Sequence, residues 1–134
     1  MVTDLKGQLT GKIVIDAVVP LNKGSPLCRR RARPYRKHSK SSLERLRSIG
    51  ALHNISAVDL GDVGAPLGDV LVCGDAAEAK QKVMEIIQRI GARAFDGGPA
   101  GNAYVIEGLT GVIIYLNRKY KSKHGSIKIT GIGD

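Results

Sequence analysis

His53, Asn54 and Ser56 fall within four residues of one another at the end of the apolar approach 51–57. Polar side chains placed there can reach a ligand above the edge of a sheet. The same residues also have a plainer reading, in which Asn54 or Ser56 caps a short turn and His53 lies on the surface. A second candidate is Gly97-Gly98-Pro99: two glycines let a ligand approach the backbone closely, or they merely turn the chain. Gly108 and Gly111 form a third, since both sit in a helical pattern where they admit another helix or a flat cofactor. The residue types are those of ligand contact. His38, His53 and His124 are scattered without metal-ligand spacing, and Cys28 and Cys73 are too few for a disulfide framework.

Charge points toward nucleic acid until it is located. The 134 residues carry a net charge of +9, but residues 28–47 hold nine of the 21 basic side chains and only one of the 12 acidic ones, Glu44. Outside that stretch the chain is nearly neutral. Residues 22–49 lack a hydrophobic period, and only 42–47 hint at a short helix, so the segment reads as loop. Three readings are open for it: a patch for RNA or another polyanion, a solvated loop, and a reading-frame error. Tyr35 is the only aromatic residue within it, which argues against sequence-specific single-strand recognition, so a nucleic-acid partner is not the expectation. No stretch is long and apolar enough to span a bilayer, and residues 1–6 lack a signal pattern, so a cytoplasmic location is expected and no membrane partner.

The elements that position the candidates follow an α/β pattern. Residues 11–21 open on a β-branched run read as a buried strand, stopped by Pro20. Residues 59–68 read as a loop punctuated by glycines. Residues 70–73, apolar and bounded by glycine, form a strand buried on both faces. A helix follows at once, with Asp75 as its cap, Glu78 reaching back, and a stripe of Ala79, Val83, Ile86, Ile87 and Ile90. Gly91 suits the residue after that helix. Residues 93–96 read as a strand, and Pro99 suits the first turn of the next helix. Residues 102–120 form that helix, with Val105, Leu109, Val112 and Leu116 on one face and Ile106 and Ile113 beside it. Such a helix is core or lies at a subunit interface. Residues 126–130 alternate as a half-exposed strand does.

In order and spacing, the motifs at 11–21, 51–57, 69–80, 96–102, 107–110, 116–121 and 125–131 resemble the NADPH-dependent reductases of coenzyme F-420, the 8-hydroxy-5-deazaflavin hydride carrier. They cover about four fifths of the chain, and residues 22–49 are the gap. The resemblance implies an α/β fold, an incomplete Rossmann-type sheet consisting of its C-terminal part, followed by a long packing helix and a short C-terminal strand. The expected division is a partial Rossmann-type domain at 1–96, with the basic irregular insert at 22–49, and a helical C-terminal portion at 97–134. It further implies hydride transfer between NADP and F-420 with no covalent intermediate and no metal, so that the protein positions the rings and excludes water. By resemblance His53, Asn54, Ile55 and Ser56 line the deazaflavin side of the cleft. Gly97, Gly98 and Pro99 pass beneath the cofactor, and Asn102 and Thr110 lie on the helix that closes it.

This sequence departs from the family pattern in three places. The opening strand, G-x-G-x-x-G turn and helix, whose amides and dipole hold the pyrophosphate, do not occur in these 134 residues. Residues 96–102 read Asp-Gly-Gly-Pro-Ala-Gly-Asn where Asp-Ala-Gly-Pro-Leu-Glu-Asn is usual, and Leu109-Thr110-Gly111 replaces Leu-Thr-Pro. The expectation is therefore a truncated reductase, inactive alone, with the strand at 12–19 left at a sheet edge or paired with another chain. Two partners are expected: a second copy through the 102–120 helix, and a separate chain supplying the nucleotide-binding half. The rival reading is a small binding module that uses its basic loop on RNA or another polyanion.

Overall fold

The computed structural model describes residues 6–19, 21 and 47–132. Residues 22–46, which include most of the basic run, lie outside the described residues, as do the readings attached to them. In chain order the elements are α1 (Lys6–Leu9), β1 (Ile13–Asp16), β2 (Arg47–Gly50), α2 (Ala57–Gly61), β3 (Val70–Val72), α3 (Ala77–Arg89), β4 (Ala94–Asp96), a 3-10 turn (Ala100–Asn102) and α4 (Ala103–Lys119).

The strands form two parallel pairs. β1 lies beside β2 with Ile15 opposite Ile49, and β3 lies beside β4 with Leu71 opposite Phe95. Parallel neighbours need a long crossover, which α3 supplies between β3 and β4. Gly50 and Cys73 join the pairs by exchanging both backbone hydrogen bonds at 2.8 Å. Ile49, Ala51, Val70, Val72, Ala79, Val83, Ile87 and Ala92 meet between α3 and the strands as the main core. Each large aliphatic side chain buried there contributes about 1.5–3 kcal/mol.

The structure corrects several expectations. Strand β2 begins at Arg47, inside the segment read as irregular; its partner β1 lies far off in sequence, so no local period announces it. β1 is half exposed rather than buried, because among the described residues it has a strand on one side only. Residues 57–61 form a short helix within what reads as loop, and Ser56 caps it by accepting from the Val58 amide at 3.2 Å. On α3 the stripe is narrower than its spacing suggests: Ala79, Val83 and Ile87 are buried, while Ile86 and Ile90 are exposed. Asp75 does not cap α3. The N-cap residue is Ala76, with no side-chain bond, and Glu78 pairs instead with Lys82. Gly91 follows the helix at φ +91°, the left-handed geometry expected of it.

α4 buries the flank of its apolar stripe, which carries Ile106 and Ile113, rather than the Val105, Val112 and Leu116 line itself. Ala103, Ile106, Thr110, Gly111 and Ile113 are inside, whereas Val105, Val112 and Leu116 are exposed. Small residues decide this. Ala103 lets the helix approach until a Cβ placed on Gly50 would stand 3.0 Å from the Ala103 Cβ. Pro99 stands one step earlier than expected, before the 3-10 turn that leads into α4.

Residues 126–130 alternate half-buried and exposed as expected, yet they form no strand. One backbone bond, from the Asp69 amide to the Ile127 carbonyl at 3.0 Å, ties them beside β3. Side chains supply the other ties. The Asp69 carboxylate receives Arg93 Nε at 2.9 Å, Arg93 Nη2 at 2.6 Å and the Ile129 amide, and the same guanidinium donates to the Ile129 carbonyl at 2.7 Å. Farther back, His124 Nδ1 lies 2.5 Å from Asp59 Oδ1 on α2.

Candidate functional site

The chain leaving β2 turns at Leu52, which holds φ +66°, and places His53 and Asn54 inside the molecule. His53 is only 4% exposed, so it is not a surface residue. Its carbonyl accepts a hydrogen bond from Thr110 Oγ1 at 2.8 Å, joining the loop to the middle of α4. Its ring packs against Gly50, where an added Cβ would lie 3.4 Å from Cε1. Asn54 donates from Nδ2 to the Asp69 carbonyl at 2.6 Å. Two polar atoms here are buried without a hydrogen-bond partner, His53 Nδ1 and Asn54 Oδ1. Leaving such a group unpaired costs about 1–3 kcal/mol, and residues that retain the cost are candidates for ligand contact.

The second cluster is the turn after β4. Gly98 sits at φ +91°, a conformation that favours glycine. A Cβ on Gly97 would lie 2.7 Å from Cys73 Sγ, and one on Gly98 would lie 2.7 Å from Asn102 Nδ2. The close approach these glycines permit is therefore taken up by the protein itself. Asn102 donates from Nδ2 to the Gly97 carbonyl at 2.8 Å, and the Gly74 amide donates to the Gly98 carbonyl at 3.0 Å. Two carboxylates take the amides at the start of the next helix: Asp96 Oδ1 accepts from Gly98 at 2.8 Å, and Asp75 Oδ1 from Ala100 at 3.0 Å. Lys80 of α3 completes the turn, with Nζ 2.6 Å from Asp96 Oδ1 and 3.3 Å from the Gly98 carbonyl.

Of the nine residues expected at the site, His53 and Thr110 meet directly, and Gly97, Gly98, Pro99 and Asn102 form one turn. Gly50, Cys73 and Ala103 connect the two groups: Cys73 packs with Ala103 and Ile106 and stands against Gly97. Ile55 packs on the main core, and Ser56 turns away to cap α2. Sequence reasoning missed Lys80, Asp75 and Asp96 as holders of the turn. A lysine in the first turn of a helix, where the dipole disfavours a cation, was the available signal for Lys80.

Electrostatics give a graded pH response. Burial pushes the His53 imidazole below the ordinary histidine value of 6.5, against an upward pull from the Asp16 carboxylate. The hydrogen bond from Arg93 holds Asp69 below the ordinary 3.8, helped by the Ile129 amide and opposed by burial. Lys80, and then the Gly98 amide, hold Asp96 below it as well. All three pKa values are lowered on folding, so each contribution is complete above the unfolded value and is lost as pH falls through the folded one. The urea midpoint is expected to fall in two stages, one below pH 6.5 from His53 and one below 3.8 from the carboxylates. The first stage should vanish in His53→Gln; its persistence there would contradict the assignment.

Comparison with known proteins adds relatives to this geometry. No protein-family model matches the chain. The F420-dependent NADP reductase of Methanocaldococcus jannaschii is 34% identical over 138 residues, an alignment covering 98% of this chain and 62% of that protein. The F420-dependent NADP reductase of Methanothermobacter marburgensis is 34% identical over 139 residues, covering 96% of this chain and 61% of its own length. Among solved structures, a putative F420-dependent NADP-reductase from Arthrobacter sp. FB24 shares the fold with a TM-score of 0.73 at 23% identity. That match covers 93% of this chain and 60% of the other. No helix among the described residues is long and apolar enough to cross a membrane.

Proposed function

Because this chain is a partial-length homologue of the F420-dependent NADP reductases, spanning about 60% of the relatives it matches, we propose that it carries the deazaflavin-facing part of such a reductase. When bound, the deazaflavin accepts or gives the hydride, and this chain binds the ring, orients it and keeps water away. The observation that carries the reading is the pair of orphaned buried atoms, His53 Nδ1 and Asn54 Oδ1. Once the loop that buries them opens, the His53 Nδ1–H can donate to a C=O of a deazaflavin ring and Asn54 Oδ1 can accept from a ring N–H. Thr110 holds the His53 backbone, and the Gly97-Gly98-Pro99 turn forms the neighbouring wall.

The pyrophosphate of NADP does not fit the described residues. Ahead of α4 the amides of Gly98 and Ala100 are occupied by Asp96 and Asp75, and the Lys80 ammonium is engaged by Asp96, so these donors are not open to a phosphate. At the β3–α3 junction a Cβ on Gly74 would strike Ile49, so the turn is closed by packing, and Asp75 adds negative charge. This chain alone is therefore proposed not to oxidise NADPH. The side of β1 that has no strand neighbour among the described residues, with Ile15 exposed on it and Val18 exposed just beyond it, supports a nucleotide-binding half seated along that strand. The exposed Val105, Val112 and Leu116 on α4 support a second copy meeting that face.

Titrating the purified chain with F-420 and following the cofactor's fluorescence tests the reading. Saturable binding is expected, with no bleaching of F-420 when NADPH is added. Absence of binding would overturn the deazaflavin assignment, and robust bleaching would overturn the claim of inactivity while leaving the homology intact.

A further inference from the structure

The turn 96–99 is held more tightly than a chain reversal requires, and Lys80 is the reason. Pro99 is exposed and the glycines are half buried, so solvent could serve their backbone groups without side-chain help. Instead the Lys80 side chain, only 12% exposed, reaches from the first turn of α3 to Asp96 at 2.6 Å. The same ammonium donates to the Gly98 carbonyl at 3.3 Å, and Asp96 Oδ1 also receives the Gly98 amide at 2.8 Å. One cation thus fixes both polar groups of the Gly98 backbone, the amide through Asp96 and the carbonyl directly. Neither the helix dipole nor desolvation favours an ammonium there.

We propose that Lys80 is a positioning residue: through Asp96 it presets the Gly97-Gly98-Pro99 turn in the shape against which the deazaflavin ring lies. This rests on the deazaflavin reading above. Lys80 touches no ring atom; it spares the turn the entropy of ordering when the ligand arrives. The pair is charged and local, so a substitution that removes it leaves the core of Val72, Ala79 and Val83 in place. Arginine at position 80 keeps the charge and the donors.

The test is F-420 titration of the full chain as wild type, Lys80→Met, Lys80→Arg and Asp96→Asn, with amide exchange at Gly98 measured on each. Lys80→Met is expected to weaken F-420 binding about tenfold, the loss of one charge-assisted hydrogen bond. It should also speed Gly98 exchange about tenfold or more while the circular dichroism spectrum stays unchanged. Lys80→Arg should recover most of the affinity. Should Lys80→Met not fold, Asp96→Asn decides, since it keeps the size of the acceptor and loses its charge. Unchanged affinity in the folded variants, with wild type binding normally, overturns the role of Lys80 and leaves the deazaflavin reading standing. Failure of the wild type itself to bind overturns both.

Discussion

Replacing Asp69 by alanine is expected to cost about 3 kcal/mol of stability and to release residues 126–130 from the body of the protein. The carboxylate is almost fully buried, with its side chain 5% exposed, and gathers three donors: two from Arg93 and the Ile129 amide. Removing one partner of a buried ion pair costs about 3–5 kcal/mol, because the other is left uncompensated. Arg93 keeps part of its surface in water, which places the expectation at the low end. The Arg93 guanidinium would also lose its orientation toward the Ile129 carbonyl, so the tail loses two ties at one stroke and keeps the backbone bond from residue 69 to the Ile127 carbonyl. Urea unfolding measures the stability, and amide exchange at Ile129 reports the tail. Asp69→Asn should cost less, since it retains an acceptor. A tail that stays protected in Asp69→Ala would show that the hub is not what holds it.

Ile49→Ala is expected to be comparably destabilising, by about 3 kcal/mol, for a different reason. Ile49 is fully buried in β2, packs in the main core, and its Cδ1 lies where a side chain on Gly74 would otherwise go. Truncating a buried isoleucine to alanine costs about 2–5 kcal/mol, more where neighbours cannot collapse into the space. Here they are held apart: Gly50 is hydrogen bonded to Cys73 on one side, and β1 is paired on the other. The substitution should therefore loosen the connection between the two strand pairs, and with it the placement of His53 four residues on. Denaturation gives the stability change, and F-420 titration in the same variant gives the effect on the site. A loss below about 1 kcal/mol would mean that β2 relaxes freely and does not couple the pairs.

Features set by local pattern were legible in the sequence. The strand at 70–72, the helix at 77–89 and the strand at 94–96 follow from short apolar runs, a 3.6-residue period and glycine boundaries, all contained within a few residues. What was not legible depends on partners distant in the chain. Asp75 has the type and position of a helix cap, and only the fold shows that the amide of Ala100 has claimed it. The 103–119 helix carries apolar residues around much of its circumference, so periodicity could not choose its inward face. Ala103 against Gly50 made the choice, and the Val105, Val112 and Leu116 stripe went outward. Strand β2 was hidden at the edge of a basic run because Arg47 and Ser48 look like the end of that run. Residues 126–130 show the alternation of a strand without its ladder, being tied mostly by Asp69 and Arg93. At the candidate site the proposed ligand-facing residues come from the resemblance, while the residues that hold them in place do not. Lys80, Asp75 and Asp96 act across 16 to 25 positions of sequence, a separation at which spacing carries no signal.

The central claim is that this chain presents the deazaflavin-facing surface formed by His53, Asn54, Gly97, Gly98, Asn102 and Thr110. The most direct measurement is an NMR titration of the isotopically labelled chain with F-420. Saturable shifts are expected in the backbone amides of His53, Asn54, Gly97, Gly98, Asn102 and Thr110 and in the side-chain signals of His53 and Asn54, with the exposed face of α3 unmoved. Shifts centred elsewhere, or none at saturating cofactor, would contradict it.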